Sequence, residues 1–246
     1  MKKSFSEKLL CMAGPCAIEN YSMMERIAEF LLSYGITVMR AGAFKPRTLC
    51  SSFQGLGLQG LEILKQLKIK YDIKIVSEIV DLKYLDSMLQ CVDILQVGAR
   101  NMYNYELLKE LGKVQVPVLL KRGLCATVRE FIAAAEYIST GGNANILLCE
   151  RGVRSFDNCT RNLLDISCVA IIKKETPYPV IVDISHSLGR KDIASPVAKA
   201  AIAAGADGIM VEVHEQPETA LSDKEQQMNF EEFDNFYRQV YLEKEN

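Results

Sequence analysis

The sequence predicts an α/β protein built as one (β/α)8 barrel, the TIM fold, and three observations support this prediction. Short apolar runs alternate with longer amphipathic segments along the whole chain, which is typical of repeated strand and helix units around a parallel sheet. Eight such units can be counted, whereas a doubly wound sheet more often has about five or six strands. The length of 246 residues is usual for one barrel, and a hydrophobic content of 49% allows a large core.

Each predicted strand is rich in Val, Ile or Leu, as a strand that is buried on both faces must be. The eight predicted strands are Leu9–Ala13, Thr37–Ala41, Ile73–Ser77, Ile94–Val97, Val118–Leu120, Ile146–Cys149, Val180–Asp183 and Gly208–Val211. The clearest predicted helices are Met23–Ser33, Leu58–Tyr71, Asn104–Leu111, Thr127–Ser139, Asp157–Ile172 and Pro196–Ala204, followed by a last helix from Phe230 to about Glu243.

One glycine pattern could be mistaken for a dinucleotide-binding motif. The run Gly55-Leu-Gly57-Leu-Gln-Gly60 fits GxGxxG, but no predicted strand comes directly before it. We therefore interpret it as a loop that enters a helix.

The overall composition excludes several classes of protein. No linker or change in composition divides residues 1–246, so we expect a single catalytic domain without a separate regulatory domain. No run of eighteen apolar residues occurs, and no apolar signal core follows the first residues, so we expect a cytoplasmic protein that neither enters membranes nor is exported. The eight cysteines form no CxxC pair, which suits a reducing compartment. A net charge of −2 gives no general attraction to nucleic acid.

Reactive side chains occur at nearly every predicted strand end, where the catalytic groups of a barrel project. Cations predominate among them, and a ring of cations would repel itself unless it met several negative charges. The pattern therefore predicts a ligand with phosphates or carboxylates, although any single cation, such as Arg122, could merely lie in a solvated loop. The residues concerned are Cys16, Arg40, Lys45, Arg47, Glu78, Arg100, Lys121, Arg122, Glu150, Arg151, Asp183, Ser185, His186, Glu212 and His214.

A metal site is a second hypothesis. Cys16, His186 and Glu212 follow the first, seventh and eighth strands, which become neighbours when a barrel closes, and Asp223 in the next loop is a candidate fourth ligand. Such mixed donors suit Mn²⁺, Fe²⁺, Co²⁺ or Zn²⁺ better than Ca²⁺. Alternatively, the cysteine is ordinary buried filler and the histidine a satisfied polar group. The spacing alone leaves both interpretations open.

The reactive residues belong to short motifs at the strand ends and in the loops after them. The motifs are Gly14-Pro-Cys16, Arg40-Ala-Gly-Ala-Phe-Lys45-Pro-Arg47-Thr48, Ser52-Phe-Gln-Gly55, Gly98-Ala-Arg100-Asn-Met, Leu120-Lys121-Arg122-Gly123, Cys149-Glu-Arg151-Gly152, Asp183-x-Ser185-His186 and Glu212-Val-His214. Taken together, they resemble those of the 3-deoxy-D-arabino-heptulosonate 7-phosphate (DAHP) synthase family, in the short microbial branch of its type I members. The resemblance follows the family's order from about Leu10 to Asp223 and covers almost the whole chain.

The resemblance implies a metal-dependent condensation of phosphoenolpyruvate with erythrose 4-phosphate and water, which gives DAHP and phosphate and opens the shikimate pathway to the aromatic amino acids. A related family makes 3-deoxy-D-manno-octulosonate 8-phosphate from arabinose 5-phosphate. Its members typically have Lys-Ala-Asn-Arg where this chain has Lys45-Pro46-Arg47-Thr48. That difference favours erythrose 4-phosphate. By the same resemblance we expect a homotetramer.

The resemblance also implies roles for individual residues. Metal ligands would be Cys16, His186, Glu212 and Asp223. The phosphoenolpyruvate carboxylate would lie against Arg40 and Lys121, and its phosphate against Arg100 and Arg151. Lys45 would lie between the substrates, and Arg47 and Thr48 would face the aldose phosphate. Further substrate-binding positions would be Glu78, Ala99 and His214, and the catalytic residues would be Lys45, Lys121 and His186.

Two positions depart from the family pattern. Ile184 stands where the family usually has proline, which leaves the neighbouring His186 intact. Lys224 stands where it usually has glycine, and we expect this to restrict the loop that delivers Asp223.

Overall fold

A closed barrel of eight parallel strands forms the centre of the molecule. In this computed structural model, which describes residues 9–242, the strands follow one another around the barrel in chain order, and the last pairs with the first. The strands are β1 (Leu10–Gly14), β2 (Val38–Arg40), β3 (Lys74–Ile79), β4 (Ile94–Val97), β5 (Val118–Lys121), β6 (Ile146–Glu150), β7 (Val180–Asp183) and β8 (Gly208–Glu212). The predicted barrel is confirmed, and every strand lies within two residues of its predicted bounds.

Helices follow the strands and cover the outside of the barrel. They are α1 (Tyr21–Ser33), α2 (Leu58–Lys70), α3 (Leu85–Leu89), α4 (Tyr105–Leu111), α5 (Val128–Thr140), α6 (Ile166–Glu175), α7 (Ile184–Leu188), α8 (Ala194–Ala203) and α9 (Phe230–Tyr237). A π-helical turn, Arg238–Leu242, continues α9. The predicted end of this helix near Glu243 lies outside the described residues. Within residues 9–242, no helix is long and apolar enough to cross a membrane.

The predicted helix Asp157–Ile172 is wrong in its first half. Residues 157–165 form a loop, and α6 begins only at Ile166, because the Asp165 side chain accepts a hydrogen bond from the Cys168 amide at 3.1 Å and caps the helix there. Asp157 instead closes a local turn by accepting from the Cys159 amide at 2.8 Å. The short helices α3 and α7 were not predicted, since neither is long enough to show a helical period.

The core has two layers, because successive side chains of a strand point alternately into the barrel and towards the helices. The barrel interior is filled by Met12, Val38, Val76, Ile94, Leu119, Leu147, Cys149, Ile181 and Met210. A larger apolar layer lies between the strands and the helices. Because side chains fill the interior, ligands are restricted to the ends of the barrel.

One glycine permits a close approach that a side chain would prevent, and a second has a positive φ at the start of a helix. Gly14 has φ 142°, and a Cβ there would lie 2.2 Å from the Arg40 carbonyl oxygen, so β1 and β2 can meet only with glycine at this position. Gly57, at φ 59°, is the N-cap residue of α2. The GxGxxG run is therefore a loop that enters a helix, as predicted.

Candidate active site

A cavity of about 400 Å³ opens at the carboxyl ends of the strands. Most of the predicted site residues line it, namely Arg40, Lys45, Arg47, Thr48, Glu78, Ala99, Arg100, Lys121, Arg151, His186 and Asp223. The carboxylates of this lining come from Glu78 and Asp223 alone, so cations dominate it. The cavity is therefore suited to ligands that carry several negative charges.

Three of the predicted metal ligands meet beside this cavity. One donor atom from each of Cys16, His186 and Asp223 lies within 4.8 Å of the other two. Ligand bonds of about 2.0–2.3 Å would bring the donors of one ion within about 4 Å of one another, so small side-chain movements would allow all three to hold the same ion. A thiolate, an imidazole and a carboxylate also form a donor set that suits a first-row transition metal. The residues thus fit the implied divalent ion.

Glu212, the fourth predicted ligand, lies at the edge of this group. Its Oε1 atom is 3.6 Å from Nε2 of His186 and also accepts a hydrogen bond from Arg40. Its Oε2 atom accepts from Gln226 Nε2 at 2.6 Å. Arg40 and His186 outweigh the effect of burial and lower the pKa of Glu212, so this carboxylate is negatively charged.

The thiol of Cys16 is fully buried and has polar partners on two sides. Its Sγ atom donates to Asp223 Oδ2 at 2.9 Å and accepts from Lys45 Nζ at 2.9 Å. Burial, followed by the charge of Glu212, raises the pKa of Cys16 to about 12. Cys16 is therefore protonated near neutral pH, and a metal ion would have to displace this proton to bind the sulfur.

The unpredicted helix α7 orients His186. Asp183, at the end of β7, accepts from the His186 backbone amide at 2.9 Å, and its Oδ2 atom lies 2.8 Å from His186 Nδ1. The Nε2 atom is left to face the cluster. Burial lowers the pKa of His186 despite the nearby carboxylates of Asp183 and Glu212, which favours the neutral ring that a metal ligand requires.

Several cations are held deep in the cavity. Arg40, Lys121 and Arg151 are each at most 5% exposed. Lys121 donates to Asp183. Among residues 9–242, the guanidinium of Arg151 donates only to the carbonyl of its neighbour Gly152, at 3.3 Å. Burial lowers the pKa of Arg151. A buried cation without a hydrogen-bonded carboxylate is unfavourable unless an anion binds there.

Arg122 does not line the cavity. It is 4% exposed, and its Nη1 atom donates to Glu150 at 2.8 Å and to Asp165 at 2.9 Å. The idea that this residue lies in a solvated loop is therefore wrong, since it joins β5, β6 and the start of α6 in a buried ion-pair network.

His214 is also absent from the cavity lining, although we predicted it among the substrate-binding residues. Its Nδ1 atom accepts from the Gln216 amide at 3.0 Å. Its Nε2 atom lies 3.7 Å from Glu19 Oε1 and has no hydrogen-bond partner among the described residues. Glu19 accepts a hydrogen bond from the Leu221 amide at 2.7 Å, and this bond helps to hold the loop that carries Asp223. His214 therefore lies beside that contact.

The loop that carries Asp223 differs from our expectation. Asp223 itself has φ 49°, and no other non-glycine residue in the described range has a positive φ. Aspartate tolerates this left-handed region better than most residues. Lys224 is outside this region, so its replacement of glycine does not restrict the loop as expected.

Arg154, Arg161 and Asn162 are among the cavity residues that sequence reasoning missed, and they lie in or next to the loop that was mistaken for helix. Arg161 donates to Asp223 Oδ1 at 3.0 Å, and Asn162 donates to the His186 carbonyl at 2.9 Å. A predicted helix on the outside of the barrel gave no reason to place them at the mouth. The density of polar residues in 154–162 was the one indication of a loop.

A second cleft, of about 700 Å³, lies on the other side of Arg161 and Asp223. Residues 158–161, 188–190 and 223–226 line it. It contains none of the buried cations at the strand ends, so the reactive groups belong to the first cavity.

Comparison with known proteins agrees with this geometry. The sequence model of the DAHP synthetase I family matches residues 4–245. The chain belongs to this family. A phospho-2-dehydro-3-deoxyheptonate aldolase from Thermotoga maritima is 51% identical over 221 residues, which cover 90% of this chain and 65% of that protein. The chain thus spans slightly less than two thirds of that relative.

More distant members and solved structures extend the comparison. A 2-dehydro-3-deoxyphosphooctonate aldolase from Geobacter sulfurreducens is 32% identical over 87% of this chain and 85% of its own length. The crystal structure of a Thermotoga maritima DAHP synthase has a TM-score of 0.91 at 48% identity and covers 95% of this chain and 68% of the other. A truncated form of the Thermotoga maritima enzyme has a TM-score of 0.87 at 45% identity over 95% of this chain and 85% of the other.

Proposed function

We propose that this member of the family is a DAHP synthase, which condenses phosphoenolpyruvate with erythrose 4-phosphate and water and releases phosphate. The observation that carries the proposal is a single cavity in which buried cations adjoin a cluster of Cys16, His186 and Asp223. Two phosphorylated substrates would match the cations, and the cluster offers donors for a metal ion.

Phosphoenolpyruvate would occupy the deep part of the cavity. Arg40 and Lys121 would bind its carboxylate, and Arg100 and Arg151 its phosphate. Support comes from Arg151, which is 5% exposed and has no carboxylate within hydrogen-bonding distance in the described part of the chain. Ala99 belongs to the same wall, as does Glu78, which accepts from Gln96 at 3.3 Å.

The aldose phosphate would lie nearer the mouth, against Arg47 and Thr48. These two residues follow β2 in sequence, and Thr48 is within 3.4 Å of the Arg100 guanidinium. The greater identity to a heptonate aldolase than to an octonate aldolase supports erythrose 4-phosphate as the acceptor.

A bound Mn²⁺, Fe²⁺, Co²⁺ or Zn²⁺ ion would act as a Lewis acid that polarises the aldehyde of the acceptor. Cys16, His186 and Asp223 would hold it, with Glu212 joining them once its oxygen turns from Arg40. Asp183 would keep the His186 ring oriented by accepting from Nδ1, which leaves Nε2 for the ion.

The other residues would align the reacting carbons. C3 of phosphoenolpyruvate bonds to the aldehyde carbon, water adds at C2, and the bond from C2 to the phosphate oxygen breaks. Such alignment can lower a barrier by up to about 7–11 kcal/mol. Lys45, beside the Cys16 sulfur, would lie between the two substrates.

Lys121 has two possible roles. Its Nζ atom donates to Asp183, and it could pass a proton at C2 or serve only as an electrostatic clamp on the carboxylate. In either role its Nζ atom would be positioned by Asp183, which is fully buried at the end of β7.

The test is phosphate release from phosphoenolpyruvate in the presence of erythrose 4-phosphate, of arabinose 5-phosphate, or of neither. We expect release only with an aldose phosphate, and faster release with erythrose 4-phosphate. Preference for arabinose 5-phosphate would assign the octulosonate reaction instead. Binding of both substrates without release in any mixture would indicate a non-enzymatic barrel and overturn the proposal.

We further propose that residues 1–246 act as one catalytic domain within a cytoplasmic homotetramer, as the family resemblance implies. Light scattering on the purified protein measures the mass of the assembly. A mass close to that of one 27.5 kDa chain would contradict the tetramer.

A further inference from the structure

Two consecutive glutamines, Gln226 and Gln227, lie buried between β8 and α9 at 3% and 1% exposure. The segment that carries them runs beside the end of β8. The Met228 amide donates to the Glu212 carbonyl at 2.9 Å, and the His214 amide donates to the Met228 carbonyl at 2.9 Å. Backbone hydrogen bonds therefore hold both glutamines against the proposed metal site.

Gln227 joins two segments that each carry a proposed ligand. Its Oε1 atom accepts from the Cys16 backbone amide at 2.9 Å, and its Nε2 atom donates to the Ser222 carbonyl at 2.8 Å. One amide thus connects the turn after β1 to the residue directly before Asp223. Asp223 has φ 49°, and the hydrogen bond from Gln227 to the preceding residue helps to maintain that backbone conformation.

Gln226 links the carboxylates of Glu212 and Asp223. Its Nε2 atom donates to Glu212 Oε2 at 2.6 Å, while its Oε1 atom accepts from Arg161 Nη1 at 2.7 Å. The same Arg161 nitrogen donates to Asp223 Oδ1 at 3.0 Å. A continuous chain of hydrogen bonds therefore runs from Glu212 to Asp223.

We propose that Gln226 and Gln227 are positioning residues for a divalent metal ion. They set the separation of Cys16, Glu212 and Asp223, whereas Asp183 orients the ring of His186. This inference rests on the metal site of the proposed function. Outer partners of metal ligands typically account for about 10–100-fold in metal affinity. Gln226 contacts Glu212 directly and Asp223 through Arg161, and Gln227 holds the backbone at Cys16 and at the residue before Asp223.

Binding of Co²⁺ to the metal-free full-length protein tests the proposal, because a cysteine thiolate on Co²⁺ gives a near-ultraviolet absorption band. Gln226→Met and Gln227→Met keep the size of each side chain and remove its hydrogen bonds. The matched control is Asn143→Leu. Asn143 is a buried amide that donates to the Leu111 and Val116 carbonyls at 3.2 and 2.9 Å, at the opposite end of the barrel.

We expect each glutamine variant to weaken Co²⁺ binding by about 10–100-fold. In Gln227→Met the thiolate absorption band at saturating Co²⁺ should also be weaker, because the backbone at Cys16 has lost its hydrogen bond to Gln227. In Gln226→Met the intensity of this band should be unchanged. Asn143→Leu should lower the melting temperature without changing Co²⁺ affinity. If Gln227→Met fails to fold, Gln227→Glu replaces it, because the carboxylate keeps the acceptor for Cys16 and loses the donor to Ser222.

Affinities of both glutamine variants within twofold of the unmodified protein would overturn the inference and leave the proposed function intact. Equal weakening in Asn143→Leu would also overturn it, since general loss of stability would then explain the effect. If the unmodified protein itself bound no Co²⁺, the metal site would fail, and the positioning role with it.

Discussion

The thiol of Cys16 donates a hydrogen bond to the Asp223 carboxylate across 2.9 Å, although 207 positions separate the two residues in sequence. Closure of the barrel accounts for this proximity, because β8 pairs with β1 along its whole length and brings Glu212 opposite Gly14. The turn after the first strand and the loop after the last strand therefore share one corner of the mouth. A cluster assembled in this way depends on every one of the eight strand pairings.

Replacement of Cys16 by alanine should remove the metal and the activity but keep the fold. Cys16 is fully buried, so the expected loss of stability is limited to one small side chain, about 1 kcal/mol. Metal content after dialysis, phosphate release and the melting temperature measure the three effects. Cys91→Ala is the matched control, since Cys91 is 2% exposed in the apolar core and its sulfur donates to the Ser87 carbonyl at 3.8 Å, away from the cavity. Loss of metal from the control as well would contradict the assignment.

Treatment with a chelator should abolish phosphate release, and Mn²⁺ or Co²⁺ should restore it. The physical reason is that no other group in the described cavity is placed to act as a Lewis acid on the aldehyde. Metal content must be measured on the same sample, because tightly bound ions can survive dialysis. Full turnover by protein shown to be free of metal would refute the metal requirement.

Arg47→Ala should chiefly raise the Michaelis constant for erythrose 4-phosphate, by about tenfold or more. Arg47 follows β2 at the cavity mouth, and loss of a charged partner of a phosphate costs about 1.5–3 kcal/mol. Arg238→Ala is the control, since Arg238 pairs with Asp234 at 2.8 Å on the exposed surface of α9. A rise confined to phosphoenolpyruvate would show that Arg47 binds the other substrate.

The barrel and most of its site could be predicted because two simple regularities determine them. Buried parallel strands must be apolar on both faces, which identified all eight of them, and the carboxyl ends of such strands converge at one mouth. Lys45, Lys121 and His186 could therefore be placed together from their positions after strands. This prediction required no knowledge of contacts between the three residues.

Loops could not be predicted in the same way, because nonlocal contacts choose among locally equivalent conformations. Asp157 and Asp165 are both acceptable N-cap residues, and the second caps α6. Asp165 also pairs at 2.9 Å with Arg122, the residue directly after β5, a contact that no local pattern reveals. Arg161 and Gln226 were missed for the same reason, since their partners lie on distant segments.

Asp165 should make the stability of the protein depend on pH below about 4. Burial raises its pKa, but hydrogen bonds from Ser167 and Arg122 outweigh this and lower it. A carboxyl whose pKa is lowered by folding stabilises the protein fully at any pH above its unfolded pKa of about 3.9. This stabilisation is lost as the pH falls through the folded pKa. Asp165→Asn keeps an oxygen for the helix cap and removes the charge.

Denaturant titrations should therefore show that Asp165→Asn costs about 1–2 kcal/mol at pH 7 and that this difference shrinks as the pH falls below 4. Asp165→Ala should cost about 1 kcal/mol more, because it also removes the cap. If the difference in free energy of unfolding between the native protein and Asp165→Asn stayed constant below pH 4, the charge on Asp165 would not contribute to stability.

Lys224→Gly restores the glycine that the family usually has after the ligand aspartate, and it should not improve the site. The positive φ of this loop belongs to Asp223, so glycine at position 224 relieves no strain. It gives the unfolded chain more freedom and removes the exposed hydrogen bond from Lys224 Nζ to the Glu218 carbonyl at 3.1 Å. We expect the free energy of unfolding to fall by about 0.4–1 kcal/mol, with Co²⁺ affinity unchanged.

Asp223→Gly is the informative counterpart. Glycine at position 223 relieves the backbone strain of the positive φ, but it removes the carboxylate that Cys16 and Arg161 contact. That variant should lose the metal ion even if it becomes more stable. A clear gain in metal affinity from Lys224→Gly would instead mean that the lysine restricts the delivery of Asp223.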